Sequence, residues 1–137
     1  MAKILIAEDE KDIRELITLT LQFSGFEVVS ARDGQEAIDI ATTSGTQFDL
    51  ILMDVRMPRK TGYQACQELR EHETTQNIPL IFLSAKGQET EVQQGLQAGA
   101  DQYILKPFAP DALIKIVKEV LSRNNHTSNS SQEATEI

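Results

Sequence analysis

Short apolar segments alternate along the chain with longer segments in which apolar residues recur at helical spacing. The apolar segments predict five β-strands, at residues 4–7, 28–31, 50–54, 80–83 and 103–105. Several of them are apolar without alternation, which is expected when helices cover both faces of a parallel sheet. Strands that alternate with helices in this way are typical of βαβ units, so the pattern predicts an α/β fold.

Two of the intervening segments have strong helical periodicity. Residues 12–23 place four apolar side chains on one side, and residues 111–121 have them at i, i+3, i+4, i+7 and i+8. Weaker patterns predict helices at residues 35–43, 63–71 and 89–98. Only two large apolar residues anchor the segment 89–98. We therefore expect it to be the least firmly held helix.

The length and the distribution of apolar residues predict a single folded domain. A chain of 137 residues that is 40% hydrophobic fits one domain with one core. After Leu121 the sequence is polar up to the final Ile137, so there is little to bury. We predict a domain over residues 1–123 and a disordered polar tail over residues 124–137, with no output domain after it.

Charge and composition argue against several classes of partner and location. The 21 acidic and 13 basic residues give a net charge of −8, whereas nucleic acids and anionic membranes are bound by clustered Lys and Arg. The single Cys66 cannot form an internal disulfide, and no apolar run approaches the roughly 18–20 residues that span a bilayer. The N-terminus becomes acidic too early for a signal peptide. The sequence predicts a cytoplasmic protein without nucleic-acid or membrane partners.

Polar residues that could carry chemistry stand at the ends of the predicted strands. Glu8 and Asp9 follow the first strand, Asp54 ends the third, Ser84 follows the fourth and Lys106 follows the fifth. A doubly wound sheet collects its ligands at the carboxyl ends of its strands, and adjacent strands are about 4.8 Å apart. Three carboxylates can therefore reach one small cation. A divalent metal would offset their repulsion, and the lysine ammonium would lie opposite.

Four segments of the chain match a known family in order and spacing. They are ILIAEDE, LILMDVRMPRKTG, IPLIFLSAK and GADQYILKPF, within about residues 2–121. Each is a weak pattern alone, and the four together are highly specific. In these segments the chain resembles the receiver domain of bacterial two-component response regulators. The resemblance implies a flavodoxin-like fold, in which a doubly wound sheet of five parallel strands in the order 2-1-3-4-5 is flanked by five helices.

The resemblance also implies phosphoryl transfer to Asp54, the nucleophile, from a phosphohistidine of a sensor histidine kinase or a histidine phosphotransfer protein. Mg²⁺ would be held by Glu8, Asp9, Asp54 and the main-chain carbonyl of Arg56. Glu8 is longer than the aspartate often found at its position, so its contact is expected to pass through water. Such a domain catalyses only its own phosphorylation and dephosphorylation and is not otherwise an enzyme.

The same resemblance gives roles to further residues. Lys106 would pair first with Asp54 and then with a phosphoryl oxygen, and the Ser84 hydroxyl would bond another. The peptide bond between Lys106 and Pro107 is expected to be cis. Ser84 and Tyr103 match the switch residues through which phosphorylation changes a protein-binding face of the family.

Two other classes of function do not fit the residues of this chain. A haloacid dehalogenase type phosphatase needs a second aspartate two residues after its nucleophile, where this chain has Arg56. A nucleotide or flavin binding module needs a glycine-rich phosphate loop, whereas the first strand here ends in acids. We therefore predict a stand-alone response regulator. The alternative that stays open is a degenerate receiver that acts as a phosphorylation-independent adaptor, and phosphoryl uptake from a small donor distinguishes the two.

Overall fold

The computed structural model describes residues 2–43, 47–85, 93, 97 and 99–136. Its strands are β1 (Lys3–Ala7), β2 (Glu27–Ala31), β3 (Leu50–Asp54), β4 (Leu80–Ala85) and β5 (Gln102–Lys106). They form one parallel sheet in the order β2-β1-β3-β4-β5. The predicted fold class and strand order are confirmed, and each strand boundary lies within two residues of its predicted position.

The strand register aligns the carboxyl ends of the strands along one edge of the sheet. Ala7, the last residue of β1, pairs with Met53, so Glu8 and Asp54 follow at the same level. Asp54 in turn pairs with Leu83 of β4. The polar residues that end these strands are therefore neighbours in space.

Four helices surround the sheet in the described residues: α1 (Lys11–Phe23), α2 (Gly34–Ala41), α3 (Gly62–Arg70) and α4 (Pro110–Glu136). The helix predicted at residues 89–98 lies outside the described residues except for two isolated positions. Both α2 and α3 begin at a glycine, one residue earlier than predicted. In each case the preceding residue, Asp33 or Thr61, caps the helix through its side chain.

The sheet separates the buried apolar residues into two layers. One layer joins the sheet to α2 and α3, with Ile51 and Leu69 fully buried. The other joins it to α1 and α4, with Leu52 and Val117 fully buried. Successive residues of β3 enter opposite layers because side chains alternate across a strand. This explains why β3 is apolar at nearly every position.

The last helix is longer than the sequence predicted. It extends to Glu136, whereas the apolar stripe ends at Leu121 and a disordered tail was expected after residue 123. Serine, asparagine and threonine lower helix stability by less than about 0.7 kcal/mol each, so a polar segment can continue a helix that the core has nucleated. The division into a domain (residues 1–123) and a tail (residues 124–137) stays a prediction. Among the described residues, no helix combines the length and apolar character needed to cross a membrane.

Candidate functional site

The carboxyl edge of the sheet brings four of the predicted site residues together. One carboxylate oxygen from each of Glu8, Asp9 and Asp54 lies within 4.8 Å of the others. The Lys106 ammonium donates hydrogen bonds to Glu8 Oε1 at 2.9 Å and to Asp54 Oδ2 at 2.8 Å. Residues from three strands thus form one cluster, in which a single lysine bridges two of three acids.

The acids differ in how firmly they are held. Glu8 is completely buried and Asp54 nearly so, whereas Asp9 is exposed. The Glu8 amide donates to the carbonyl of Ala31 on β2, and Glu8 Oε2 accepts a hydrogen bond from the Glu10 amide at 3.1 Å. Main-chain and side-chain contacts therefore fix Glu8 inside the site, while Asp9 lies at its mouth.

In this cluster, burial and the hydrogen bonds between Lys106 and the acids shift the pKa values of Glu8 and Lys106 in opposite directions. Burial raises the pKa of Glu8 to about 7; the negative charge of Asp54 adds to the rise, and the hydrogen bond from Lys106 opposes it. Burial alone would lower the pKa of Lys106, but its hydrogen bonds to Asp54 and Glu8 outweigh burial and raise it. The lysine is therefore a charged partner, and the acids hold more negative charge than it offsets.

The donor set fits a hard divalent cation. Three carboxylates supply only oxygen atoms, which are the ligands that Mg²⁺ prefers, and their spacing lets one small ion contact or approach all three. Lys106 already contacts Glu8 and Asp54, so a second cation on the exposed side, toward Asp9, would complete the neutralisation.

Two other predicted residues lie directly beside Asp54. The Arg56 amide donates to Asp54 Oδ1 at 3.3 Å, and the Arg56 side chain is exposed. Ser84 follows the residue of β4 that pairs with Asp54 and is 1% exposed. Within the part of the chain that the structure describes, Ser84 Oγ has no hydrogen-bond partner. An unpaired buried hydroxyl costs about 1–3 kcal/mol, so this group is available to a ligand that reaches the site.

The two remaining predicted residues lie on or just after β5. Tyr103 pairs with Phe82 in the sheet and is 37% exposed, so part of it lies at the surface. The peptide bond between Lys106 and Pro107 is cis, the conformation that the resemblance implies.

The sequence did not reveal two residues that shape the site. Arg14 Nη1 donates to the main-chain carbonyls of Glu8 at 2.9 Å and Asp9 at 3.3 Å. At Gly62, a Cβ atom would collide with the carbonyl oxygen of Asp54, so only glycine allows α3 to approach the end of β3. Gly62 belongs to the KTG segment, where a signal was available, whereas nothing in the sequence marks Arg14 out from other helical arginines.

Comparisons with known proteins agree with this geometry. The family model described as the response regulator receiver domain matches residues 4–118. The transcriptional regulatory protein SrrA of Staphylococcus aureus is 40% identical over 126 residues, which cover 92% of this chain and 50% of SrrA. The chain thus spans about half the length of the curated relatives it matches.

Solved structures give the same result. The chemotaxis response regulator CheY4 of Vibrio cholerae is 35% identical, with a TM-score of 0.82 over 88% of this chain and 98% of that one. The receiver domain of a sensor histidine kinase from Pseudomonas aeruginosa, which has a magnesium ion coordinated in its active-site cleft, is 32% identical, with a TM-score of 0.81 over 88% of this chain and 98% of that one. The chain belongs to the response regulator receiver domain family of two-component systems.

Proposed function

We propose that this receiver domain accepts a phosphoryl group on Asp54. The observation that carries the proposal is the contact of a nearly buried carboxylate with Lys106 inside a cluster of three acids. A structural ion pair needs only one acid. A site that concentrates three acids around one lysine is suited to a cation and to chemistry in which negative charge is added and removed.

The reaction would be an in-line displacement at phosphorus. An Asp54 carboxylate oxygen forms the new bond to phosphorus while the bond between phosphorus and the histidine nitrogen of the donor breaks, and the nitrogen keeps the electron pair. The product on Asp54 is an acyl phosphate. Lys106, which contacts Asp54 Oδ2 at 2.8 Å before the reaction, then pairs with a phosphoryl oxygen, and the unpartnered Ser84 hydroxyl donates to another.

Glu8, Asp9 and Asp54, with the main-chain carbonyl of Arg56, are the residues that would hold Mg²⁺. When bound, the ion supplies positive charge against the acids and the incoming phosphoryl oxygens. The magnesium ion in the active-site cleft of the related Pseudomonas aeruginosa receiver domain supports this assignment.

The phosphodonor would be a protein, either a sensor histidine kinase or a histidine phosphotransfer protein. An apolar groove of about 350 Å³ lies against Lys106 and is lined by Ile13, Leu16, Lys106, Pro107 and Phe108. Leu16 is 48% exposed there. Apolar surface beside a reacting carboxylate favours docking of a protein surface over capture of a small phosphate ester alone.

The output would be a change in protein binding, with Ser84 and Tyr103 as the switch. Tyr103 lies on β5 and is 37% exposed, so part of this residue is at the surface, where a partner protein would contact it. Action as a stand-alone regulator in the cytoplasm stays a prediction, because the curated relatives are about twice as long as the segment they share with this chain.

Uptake of a phosphoryl group from acetyl phosphate tests the proposal. Intact mass spectrometry should detect one added phosphoryl group per chain in the presence of Mg²⁺ and none after chelation with EDTA. An unchanged mass under both conditions would instead favour a degenerate receiver that acts as an adaptor without phosphorylation.

A further inference from the structure

The main chain of the acid pair is held by an arginine that is not one of the predicted site residues. Arg14 lies on α1 and is partly buried. Its Nη1 donates to the carbonyl of Glu8 at 2.9 Å and to the carbonyl of Asp9 at 3.3 Å. One guanidinium nitrogen thus joins two consecutive residues, both of which carry a carboxylate of the cluster.

Asp9 depends on this contact more than Glu8 does. Glu8 has other attachments, through its amide to Ala31 and through its carboxylate to Glu10 and Lys106. Among the described residues, the bond from Arg14 is the only hydrogen bond that Asp9 makes. The carboxylate at the mouth of the site is therefore placed through its own carbonyl.

The start of α1 lacks the usual means of fixing a helix and the loop before it. The α2 and α3 helices are capped by the side chains of Asp33 and Thr61, whereas Glu10, the N-cap of α1, makes no capping side-chain bond. Arg14 reaches back over the first turn and bonds the loop instead. The Arg14 side chain of α1, and not a helix cap, therefore holds the loop that carries Glu8 and Asp9.

The charge and the position of Arg14 have opposite effects on a cation at the site. A permanent positive charge nearby repels Mg²⁺ and would weaken its binding. A fixed main chain keeps the Glu8 and Asp9 carboxylates together and strengthens it, as other partners that orient metal ligands do. Because Arg14 is only partly buried, solvent and salt weaken the repulsion between its charge and Mg²⁺. The hydrogen bonds to the two carbonyls act at contact distance, so they are screened less.

We infer that Arg14 is a positioning residue for cation binding, which holds the Glu8–Asp9 main chain so that the acid cluster is assembled before Mg²⁺ arrives. The inference rests on the proposed function, since it concerns the same site. Helix α1 would thus contribute to Mg²⁺ binding by holding the backbone of two ligand residues.

The test is the Mg²⁺ dissociation constant of the full chain, measured by titration calorimetry for the wild type, Arg14→Gln and Arg14→Lys at one ionic strength. Arg14→Gln should raise the dissociation constant about tenfold. Arg14→Lys should fall between the two, because an ammonium can still donate to these carbonyls but lacks the fixed planar geometry of the guanidinium. In acetyl phosphate labelling, Arg14→Gln should raise the Mg²⁺ concentration for half-maximal rate and leave the rate at saturating Mg²⁺ nearly unchanged.

The matched control is Arg32→Gln. Arg32 directly follows β2 at the same edge of the sheet, its side chain is 75% exposed, and it pairs with Glu36. This variant removes the same charge without touching the acid loop, so its dissociation constant should stay at the wild-type value. Should Arg14→Gln bind Mg²⁺ as tightly as the wild type, or more tightly, the positioning role is wrong. A wild-type chain that neither binds Mg²⁺ nor is labelled would overturn the proposed function itself.

Discussion

The acid cluster combines three carboxylates with one ammonium, so its charges do not balance. Lys106 contacts Glu8 and Asp54, and Asp9 remains at the exposed side. Burial raises the pKa of Glu8 to about 7, and the hydrogen bond from Lys106 offsets this rise only in part. The site therefore gains stability from any further positive charge that it can bind.

Replacing Lys106 by methionine should destabilise the domain in a manner that Mg²⁺ partly reverses. Without the ammonium, Glu8 and Asp54 lose a hydrogen-bonded partner, and the free energy of unfolding in EDTA should fall by about 1–3 kcal/mol. With saturating Mg²⁺ the loss should be smaller, because the ion binds only the folded cluster and should bind more tightly once the repelling ammonium is gone. Urea unfolding with and without the metal measures both values.

Lys118→Met is the control for this measurement. Lys118 is exposed on α4, so its loss should change the free energy of unfolding by less than about 0.5 kcal/mol in either condition. An equal loss for Lys106→Met in EDTA and in Mg²⁺ would contradict the linkage between the cluster and the cation.

The identities of these residues could be predicted from the sequence, but their contacts only in part. Asp54 stands out because it ends a fully apolar strand, and Lys106 because it ends another at the same edge. The bond from Lys106 to Glu8 joins residues 98 apart in the chain. Such a contact depends on the direction of two long side chains after the sheet has formed, and no local pattern encodes that direction. The same holds for Arg14.

Between secondary-structure elements, Arg70 makes the most extensive set of side-chain bonds found in the described residues. It lies at the end of α3 and donates to the carbonyls of Thr75 and Ile78 in the α3–β4 connection. It also donates twice to the carbonyl of Gly99 and pairs with Asp101, both just before β5. One partly buried guanidinium therefore ties the end of a helix to the starts of two strands.

Arg70→Met should reduce the free energy of unfolding by about 2–3 kcal/mol, because several carbonyl groups would lose their donor at once. Arg32→Met is the matched control, since its exposed pair with Glu36 is worth less than about 1 kcal/mol. Denaturant unfolding of both variants gives the comparison. A loss for Arg70→Met no larger than that of the control would show that water replaces these bonds without cost.

Helix boundaries show where local sequence is informative. Apolar periodicity predicted the existence of α1 to α4 because each helix buries a stripe against the sheet. It placed the starts of α2 and α3 one residue late, since Gly34 and Gly62 are poor helix formers. Both glycines are required by close approach: a Cβ atom on Gly34 would lie 2.6 Å from the carbonyl of Lys60. Tertiary packing, which the sequence pattern does not contain, decides these positions.

At the scale of the whole domain, the apolar stripe in the sequence of α4 ends at Leu121, whereas the helix continues to Glu136. Among the residues of α4 whose burial the structure describes, Val120 is the last buried one, and Leu121 is partly buried. Deleting residues 124–137 should therefore change the melting temperature by less than about 2 °C. Deletion of residues 118–137, which also removes Val120 and Leu121, should lower it strongly. A large loss on the shorter deletion would show that the segment after residue 123 packs on the domain.

Phosphorylation should also change the structure at residues away from the acid cluster. If Ser84 and Tyr103 act as the switch, beryllofluoride, which mimics the phosphoryl group, should shift amide resonances at residues 99–105 as well as around Asp54. Tyr103→Ala should leave phosphoryl uptake intact and reduce those distant shifts. Shifts confined to residues that touch the acid cluster would argue against a switch through β5.

The most direct measurement of the central claim is the position of the acyl phosphate. Borohydride reduces an acyl phosphate to an alcohol, so a phosphorylated aspartate becomes homoserine, which mass spectrometry of proteolytic peptides locates. After treatment with acetyl phosphate and Mg²⁺, homoserine should appear at residue 54 and not at Asp9, with Glu8 also unmodified, and Asp54→Asn should abolish it. Homoserine at residue 9, or undiminished phosphoryl uptake by Asp54→Asn, would contradict the assignment of Asp54 as the phosphoacceptor.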